Sequence, residues 1–303
     1  MNVYYLGSAL NLSSLYMIAG TGALISIKSG DYNLGGEGQI YLGGFVSAVI
    51  LAYSGLPAAI AIPLAITAAF VSSALLALLS ALFKIFRNAD FLFTSYIISA
   101  AIIPFIDGLI SGPARSKTDN LLATAFIPEA ARLPSILEPS PLNASFIFAL
   151  ALAAAAWFLL FRSAWGRQLC ILGTSPAFSR FAGFACKKLS LTSALLSGGL
   201  HGLAGAAAIL GTYFTCHQGF YAGMGWNAFS AALIAGANPL ALIPSACLMG
   251  FMTTYANRYA LFHNFGFDIS SLIQAFILFI ISFPVLQKVQ PGQKLFSLRR
   301  ARS

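Results

Sequence analysis

The chain has 303 residues, of which 58% are hydrophobic and only 8% are charged, and its mean hydropathy is +0.83. In soluble domains about a quarter of the residues are charged, so this composition excludes an ordinary soluble globular protein. The net charge of +9 does not indicate a nucleic-acid-binding domain, because so apolar a chain cannot build the polar, basic surface that such binding requires. We therefore predict an all-α polytopic membrane protein.

Long segments without Lys, Arg, Asp or Glu, divided by turn residues, predict about nine transmembrane helices, some of them short or broken. The predicted spans are 7–27, 39–54, 58–83, 91–110, 143–161, 189–212, 225–237, 239–257 and 269–287. The span 225–237 is shorter than the roughly 20 residues that a full crossing needs. It is either a half-crossing or one part of a kinked span continued by 239–257.

The basic residues predict the orientation, because short cytoplasmic loops are enriched in Lys and Arg. All but four of the 17 Lys and Arg residues share one side of this arrangement, and the four exceptions are Arg115, Lys117, Arg132 and Arg258. The loop 162–188 and the basic tail 288–303 are then cytoplasmic, and the tail is expected to contact acidic lipids. The amino terminus and the proline-rich loop 111–143 are extracytoplasmic.

The segment between the first two predicted spans, residues 30–39, combines four glycines with several polar side chains. We expect the glycines to prevent a regular helix and to allow close approach of the backbone. Asn33, Glu37 and Gln39 would bring polar groups to the membrane boundary, where they are candidates for a translocation path. The alternative is a tight, hydrated turn.

The sequence from Gly30 to Gln39, G-D-Y-N-L-G-G-E-G-Q, resembles the signature G-x-x-N-I-G-x-E-G-Q. This signature is found in membrane permeases of ATP-binding cassette (ABC) importers, in the nucleoside and riboflavin branch of the branched-chain amino acid and ribose-type superfamily. Three further segments, 165–183, 197–206 and 223–239, resemble other motifs of this family in the same order. The resemblance implies the importer permease fold in a single transmembrane domain, 1–303.

The segment 165–183 is similar to the cytoplasmic loop that couples these permeases to their ATP-hydrolysing subunit, although Cys170 and Ser175 depart from the usual residues. Ser175 can cap a helix that begins with Pro176, and we expect an amphipathic helix over 177–188. The alternative is a short helix that lies on lipid headgroups. The resemblance implies an ATPase-coupling role for Gly173, Ser175, Pro176, Arg180 and Gly183.

The small residues of 197–206 predict close helix packing. His201, a departure from the family pattern, could bind a ligand or a proton, but a packed side chain is the alternative. The complete set of candidate path residues is Asn33, Glu37, Gln39, Phe214, Trp226 and Asn227. For the aromatic members, simple core packing is the competing interpretation.

No phosphate-binding G-x-x-x-x-G-K-[ST] motif occurs, so we expect a transporter subunit that is not an enzyme and holds no metal or cofactor. The resemblance implies four partners: a subunit that binds ATP and Mg, a second permease that is homologous or identical, an extracytoplasmic substrate-binding lipoprotein, and membrane lipids. It also implies the bacterial inner membrane, and no nucleic acid is expected. The substrate would be a nucleoside, riboflavin or a simple sugar. An ion-gradient-driven transporter or channel is the rival class.

Overall fold

The computed structural model describes residues 3–117 and 120–263 together with the isolated positions 272, 275, 276 and 279. The predicted span 269–287 and tail 288–303 therefore lie outside the described residues, apart from those isolated positions. Two compact units are present, Met1–Phe251 and Met252–Ser303, and every site discussed below belongs to the first. The single domain expected over 1–303 stays a prediction.

The described part of the chain is all-α, as predicted, with two isolated β-bridges. Its α-helices are α1 (Val3–Ser29), α2 (Gly36–Tyr53), α3 (Ala58–Arg87), α4 (Phe91–Ser111), α5 (Ser145–Arg162), α6 (Ala164–Thr174), α7 (Pro176–Phe181), α8 (Cys186–Ala208), α9 (Met224–Ile234) and α10 (Pro239–Phe262). A 3-10 turn occupies Glu129–Ala131, and α8 continues as a π-helix over Ile209–Tyr213. Eight of the nine predicted spans thus correspond to helices.

Six of these helices are long and apolar enough to cross a membrane, namely α1, α3, α4, α5, α10 and α8 with its π-helical extension. The helices α2 and α9 make up the remainder of the eight. Helix α2 packs against α3, α4 and α8, and 10 of its 18 residues are buried. Together with the composition, this arrangement identifies a multi-pass membrane protein.

Glycines allow α2 and α8 to pack with their backbones almost in contact. A Cβ atom on Gly43 would lie 2.4 Å from the carbonyl oxygen of Gly202, and one on Gly205 would lie 2.0 Å from that of Ile40. Real Cβ atoms cannot come so close to backbone atoms. The prediction of close packing for 197–206 is therefore confirmed, and it follows the small-residue rule for helices in lipid.

Helix α9 has 11 residues, which correspond to about 16 Å, or about half the hydrocarbon thickness of a bilayer. Gly236 and Ala237 both have positive φ angles, 59° and 53°, and they interrupt the helical conformation between α9 and α10. The segment 225–237 is therefore a separate short helix with a terminal turn. The alternative of one kinked span with 239–257 is wrong.

Two local predictions are corrected. The expected helix over 177–188 is two helices, because α7 ends in a Schellman motif in which Gly183, with φ of 76°, is the left-handed residue. In that motif the N–H of Phe184 donates to the carbonyl oxygen of Ser179, and the N–H of Gly183 donates to the carbonyl oxygen of Arg180. The glycines of 30–39 do not all prevent helix formation either, since Gly36 and Gly38 lie in the first turn of α2.

Candidate functional site

The turn between α1 and α2 begins with a second Schellman motif. The N–H of Asp31 donates to the carbonyl oxygen of Ser26, the N–H of Gly30 donates to that of Ile27, and Gly30 has φ of 79°. The chain then folds back along the last turn of α1, where the N–H of Asn33 donates to Ser26 Oγ at 3.2 Å. The first glycine of the signature is therefore required by the backbone conformation.

Asn33 is the centre of a buried polar cluster and is only 1% exposed. Its Nδ2 donates to Gln39 Oε1 and to Ser197 Oγ, both at 2.9 Å, and its Oδ1 accepts from the N–H of Gly35, also at 2.9 Å. Gln39 is equally buried, and its Nε2 returns a bond to Asn33 Oδ1 at 3.2 Å. The two amides thus tie the turn to α2 and α8.

Serines on neighbouring helices bond the backbone around this cluster. Ser95 accepts from the N–H of Leu34 at 3.1 Å, and Ser99 accepts from that of Gly38 at 2.7 Å. These serines belong to α4, and they bond one N–H group just before α2 and one in its first turn. A helix start buried without such partners would leave its N–H groups unsatisfied, at a cost of about 1–3 kcal/mol for each group.

Glu37 points away from the amide cluster toward the beginning of α9. Its Oε1 accepts from the N–H of Gly225 at 3.0 Å and, more weakly, from that of Trp226 at 3.5 Å. Helix α9 has no side-chain cap of its own, because Gly223 occupies its N-cap position. A carboxylate from α2 therefore supplies the cap of α9, and it lies in the first turn of its own helix as well, where negative charge is favourable.

The beginnings of α2 and α9 touch through their glycines. A Cβ atom on Gly225 would lie 2.6 Å from the backbone nitrogen of Glu37, and one on Gly36 would lie 3.2 Å from Cα of Gly225. A Cβ atom on Gly36 would also lie 3.1 Å from Nε2 of His201. His201 also borders Gly22 of α1, which lies seven residues, or about 10 Å, before the end of that helix. The contact between the starts of α2 and α9 therefore lies inside the bundle, at the level of Gly22.

The remaining path candidates, Trp226, Asn227 and Phe214, do not share one location in the structure. Trp226 is 40% exposed at the start of α9, beside the carboxylate of Glu37. Asn227 faces the opposite way, is 2% exposed, and donates to the hydroxyl of Tyr16 at 2.8 Å. Phe214 lies in the chain that leads from the π-helix toward α9, and its ring packs on the guanidinium of Arg132 at 4.7 Å. The structure thus brings Glu37 and Trp226 together but not Phe214.

The predicted coupling loop packs directly on the turn that carries the signature. A Cβ atom on Gly173 would lie 2.2 Å from the carbonyl oxygen of Lys28 and 2.9 Å from the nitrogen of Gly30. Gly173 is at the end of α6 and therefore forms part of the interface with the turn. No larger residue fits at this position without displacing backbone.

Pro176 and Arg180, on α7, line a cavity of about 410 Å³ whose opposite wall includes Asp31 and Lys84. Pro176 occupies the first position of α7 as predicted, but Ser175 makes no side-chain capping bond there. Gly183 ends the same helix. The five coupling candidates thus lie on one continuous segment at the end of the bundle that carries Lys28, Lys84 and Arg162, which we call the basic end.

The sequence motifs did not indicate a half-buried ion pair at this end. Asp31 is 6% exposed, pairs with Lys84 of α3, and accepts a hydrogen bond from the hydroxyl of Ser190 of α8. The three residues are far apart in the chain, so no local pattern could have joined them. The available signal was an isolated acidic residue, next to the left-handed Gly30, in a protein that has only 8 Asp and Glu residues.

His201 is 1% exposed on α8, as the packed interpretation expected. Within the described residues, however, its Nδ1 has no hydrogen-bond partner. Cys170, the other departure from the family pattern, is half-buried on α6. Burial raises the pKa of its thiol, more than nearby Lys28 lowers it. The side chain is a thiol, which is never cationic, and it therefore does not supply the positive charge of the arginine that is usual in the family.

Comparisons with known proteins agree with this architecture. The family described as branched-chain amino acid transport system / permease component matches residues 5–282. The probable riboflavin import permease protein RfuC of Treponema pallidum (strain Nichols) is 33% identical over 281 residues, which cover 92% of this chain and 74% of the relative. No solved structure matches the chain significantly.

Two further relatives differ in the substrate that their names state. The guanosine ABC transporter permease protein NupP of Bacillus subtilis (strain 168) is 27% identical over 288 residues, covering 92% of this chain and 81% of the relative. The glucose ABC transporter permease protein TsgB13 of Haloferax volcanii is 26% identical over 289 residues, which cover 91% of this chain and 76% of the relative. The predicted resemblance to ABC permeases of the nucleoside and riboflavin branch is confirmed, and the chain belongs to the family of branched-chain amino acid transport system permease components.

Proposed function

We propose that this chain forms part of the substrate path of an ABC importer in the bacterial inner membrane and carries a nucleoside or a similar ring compound such as riboflavin. ATP and Mg bind to a separate subunit. A second permease, homologous or identical, completes the path, and an extracytoplasmic lipoprotein delivers the substrate. Family membership and the substrates named for the riboflavin and guanosine relatives support this assignment.

The proposed mechanism rests on one contact. The loop 162–188, which would contact the ATPase, packs on the turn between α1 and α2 that positions Glu37. The contact runs from Gly173 to Lys28 and Gly30, and the backbone of the turn continues from Gly30 directly into α2. A displacement of α6 and α7 would therefore act on the start of α2 through directly packed backbone. The start of α9 would follow, because Glu37 and Gly36 contact it.

The meeting of two helix starts inside the bundle supports a path at this position. Transporters commonly place substrate beside the beginnings of interrupted helices, where irregular backbone lines a cavity. Here α9 is only 11 residues long, and the chain that precedes it, after the π-helix, is irregular. Glu37 and Trp226 lie where this irregular segment becomes helix. We assign the path to this junction.

The rival class, a transporter or channel driven by an ion gradient, would use acidic groups within the membrane as an ion or proton relay. In the described part of the chain, three acidic groups that could serve have bonding partners. Asp31 pairs with Lys84, Asp107 accepts from the hydroxyl of Tyr41, and Glu37 accepts from the start of α9. These bonds favour structural and gating roles over a relay.

The coupling contact can be tested with Gly173→Trp in the complete complex of permease, ATPase subunit and binding protein. The indole cannot fit against the backbone of Lys28 and Gly30, so we expect substrate-stimulated ATP hydrolysis to be abolished while the permease remains in the membrane. Gly108→Trp is the matched control, since nothing lies within 4 Å of a Cβ atom at Gly108.

Pro176→Asp provides a second variant that does not crowd the turn, should Gly173→Trp fail to assemble. Normal stimulation of ATP hydrolysis in assembled complexes of both variants would refute the assignment of 162–188 as the coupling loop. ATP-independent uptake that follows an imposed ion gradient would instead support the rival class.

A further inference from the structure

Four aromatic rings form a continuous strip along α9, which we call the aromatic strip: Tyr96, Trp226, Phe229 and Tyr32. Trp226 and Phe229 lie three residues apart and therefore share one face of α9. The ring of Tyr96 is 6.3 Å from that of Trp226, and the ring of Tyr32 is 6.5 Å from that of Phe229. One residue thus comes from α4, two from α9 and one from the signature turn.

The strip joins the two polar regions already described. At one end, the backbone of Trp226 contacts the carboxylate of Glu37. At the other, Tyr32 lines a cavity of about 570 Å³ at the basic end, together with Asp31, Lys84, Asn88 and Asp90. A molecule that leaves the Glu37 junction along α9 would therefore pass over successive rings before it reaches the polar cavity.

The strip differs from the surface that faces lipid elsewhere. The exposed side of α3 carries the aliphatic residues Leu64, Val71, Leu75 and Leu79 and, near its end, Phe83 and Phe86, none of which has a polar group. On the strip, Tyr32, Tyr96 and Trp226 are 42%, 49% and 40% exposed. Among the described residues, neither tyrosine hydroxyl has a hydrogen-bond partner. Exposed rings that carry unused polar groups suit a ligand that is both flat and polar at its edges.

From this arrangement we infer that the aromatic strip binds the planar nitrogen heterocycle of the substrate by stacking and guides it toward the basic end. This inference rests on the proposed importer function and specifies its substrate class. Neither ring pair is parallel, since the interplanar angles are 57° and 69°. A heterocycle would therefore stack on the open face of one ring while the second ring supports it from the side. Stacking tolerates different bases, because each presents a π-face.

Trp226 can report binding directly, because the chain has only three tryptophans. A complex whose partner subunits carry phenylalanine in place of tryptophan, combined with Trp157→Phe and Trp165→Phe in the permease, keeps Trp226 as its sole tryptophan. The matched control keeps only Trp157, which lies on α5. Riboflavin, guanosine and glucose are the probes. We expect saturable fluorescence quenching by riboflavin or guanosine in the Trp226 protein, no saturable quenching in the Trp157 protein, and no response to glucose.

Transport provides the second readout. Trp226→Leu and Tyr96→Leu should raise the KM for uptake of the heterocycle about tenfold, the size expected for loss of one stacking contact. Trp226→Phe should restore most of the loss. Phe158→Leu, a replacement of an exposed aromatic residue on α5, should leave both KM and basal ATP hydrolysis unchanged.

Equal quenching in the two single-tryptophan proteins, or an unchanged KM in Trp226→Leu, would overturn the inference. Lower thermal stability without a change in KM would also overturn it and would identify the strip as an interfacial aromatic belt. ATP-dependent uptake of glucose alone would refute the strip while leaving the importer function intact. Absence of any ATP-dependent uptake by the unaltered complex would refute the proposed function itself, whereas the quenching result would still decide whether the strip binds a heterocycle.

Discussion

The two sides of the signature segment differ in what their polar groups contact. On the inner side, Asn33 and Gln39 are buried and bonded to each other and to Ser197. On the outer side, Glu37 bonds to backbone of another helix, next to the exposed ring of Trp226. Asn33 and Glu37, only four positions apart, thus have different surroundings and can have different functions. We propose that the inner side maintains the fold and that the outer side carries the transport function.

The largest effect on stability is expected from Asn33→Leu. The substitution removes the bonds to Gln39, Ser197 and Gly35 and leaves buried polar atoms without partners, which should lower the free energy of unfolding by about 2–4 kcal/mol. Thermal unfolding of the purified complex measures this change. Asn120→Leu, at an exposed position, is the control and should leave the midpoint almost unchanged. Equal midpoints for the two variants would show that the inner side is not structural.

A smaller effect on stability, with a large effect on transport, is expected from Glu37→Ala. Loss of the cap on α9 should cost about 1 kcal/mol, while uptake should fall at least about tenfold because the junction of α2 and α9 loses its connecting group. Glu37→Gln keeps an acceptor oxygen and should retain most of the stability. Glu129→Ala, at a surface carboxylate, should affect neither property. A stability loss in Glu37→Ala as large as that in Asn33→Leu would remove the distinction between the two sides.

The smallest effect is expected from Ser197→Ala, which leaves one of the two bonds from Asn33 Nδ2 intact. The remaining unpaired N–H should cost about 1 kcal/mol. Ser193→Ala is a close control one turn earlier on α8, because among the described residues Ser193 bonds only to the carbonyl oxygen of Ser190 in its own helix. If both variants unfold at the same temperature, the bond between α8 and the signature turn contributes nothing to stability.

Much of this architecture could be predicted from sequence, because spans, turns and close helix packing depend on local composition. The glycines of 30–39 indicate the turn, and the charge-free segments indicate the helices. The bond that Glu37 accepts from Gly225 joins residues 188 positions apart, and the pair of Asp31 with Lys84 joins a turn to a helix that no local pattern relates to it. Such contacts depend on the tertiary arrangement. For the same reason, the signature did not reveal that Asn33 and Glu37 face different surroundings.

The most direct test is ATP-driven uptake of riboflavin or guanosine by proteoliposomes that contain the complete complex, expressed per correctly folded complex. We expect this correction to restore Asn33→Leu to nearly the unaltered rate, because its defect is one of folding, and to leave Glu37→Ala at least about tenfold slower. Unaltered uptake by Glu37→Ala, or equal residual defects in the two variants, would contradict the division of the signature into a structural side and a transport side.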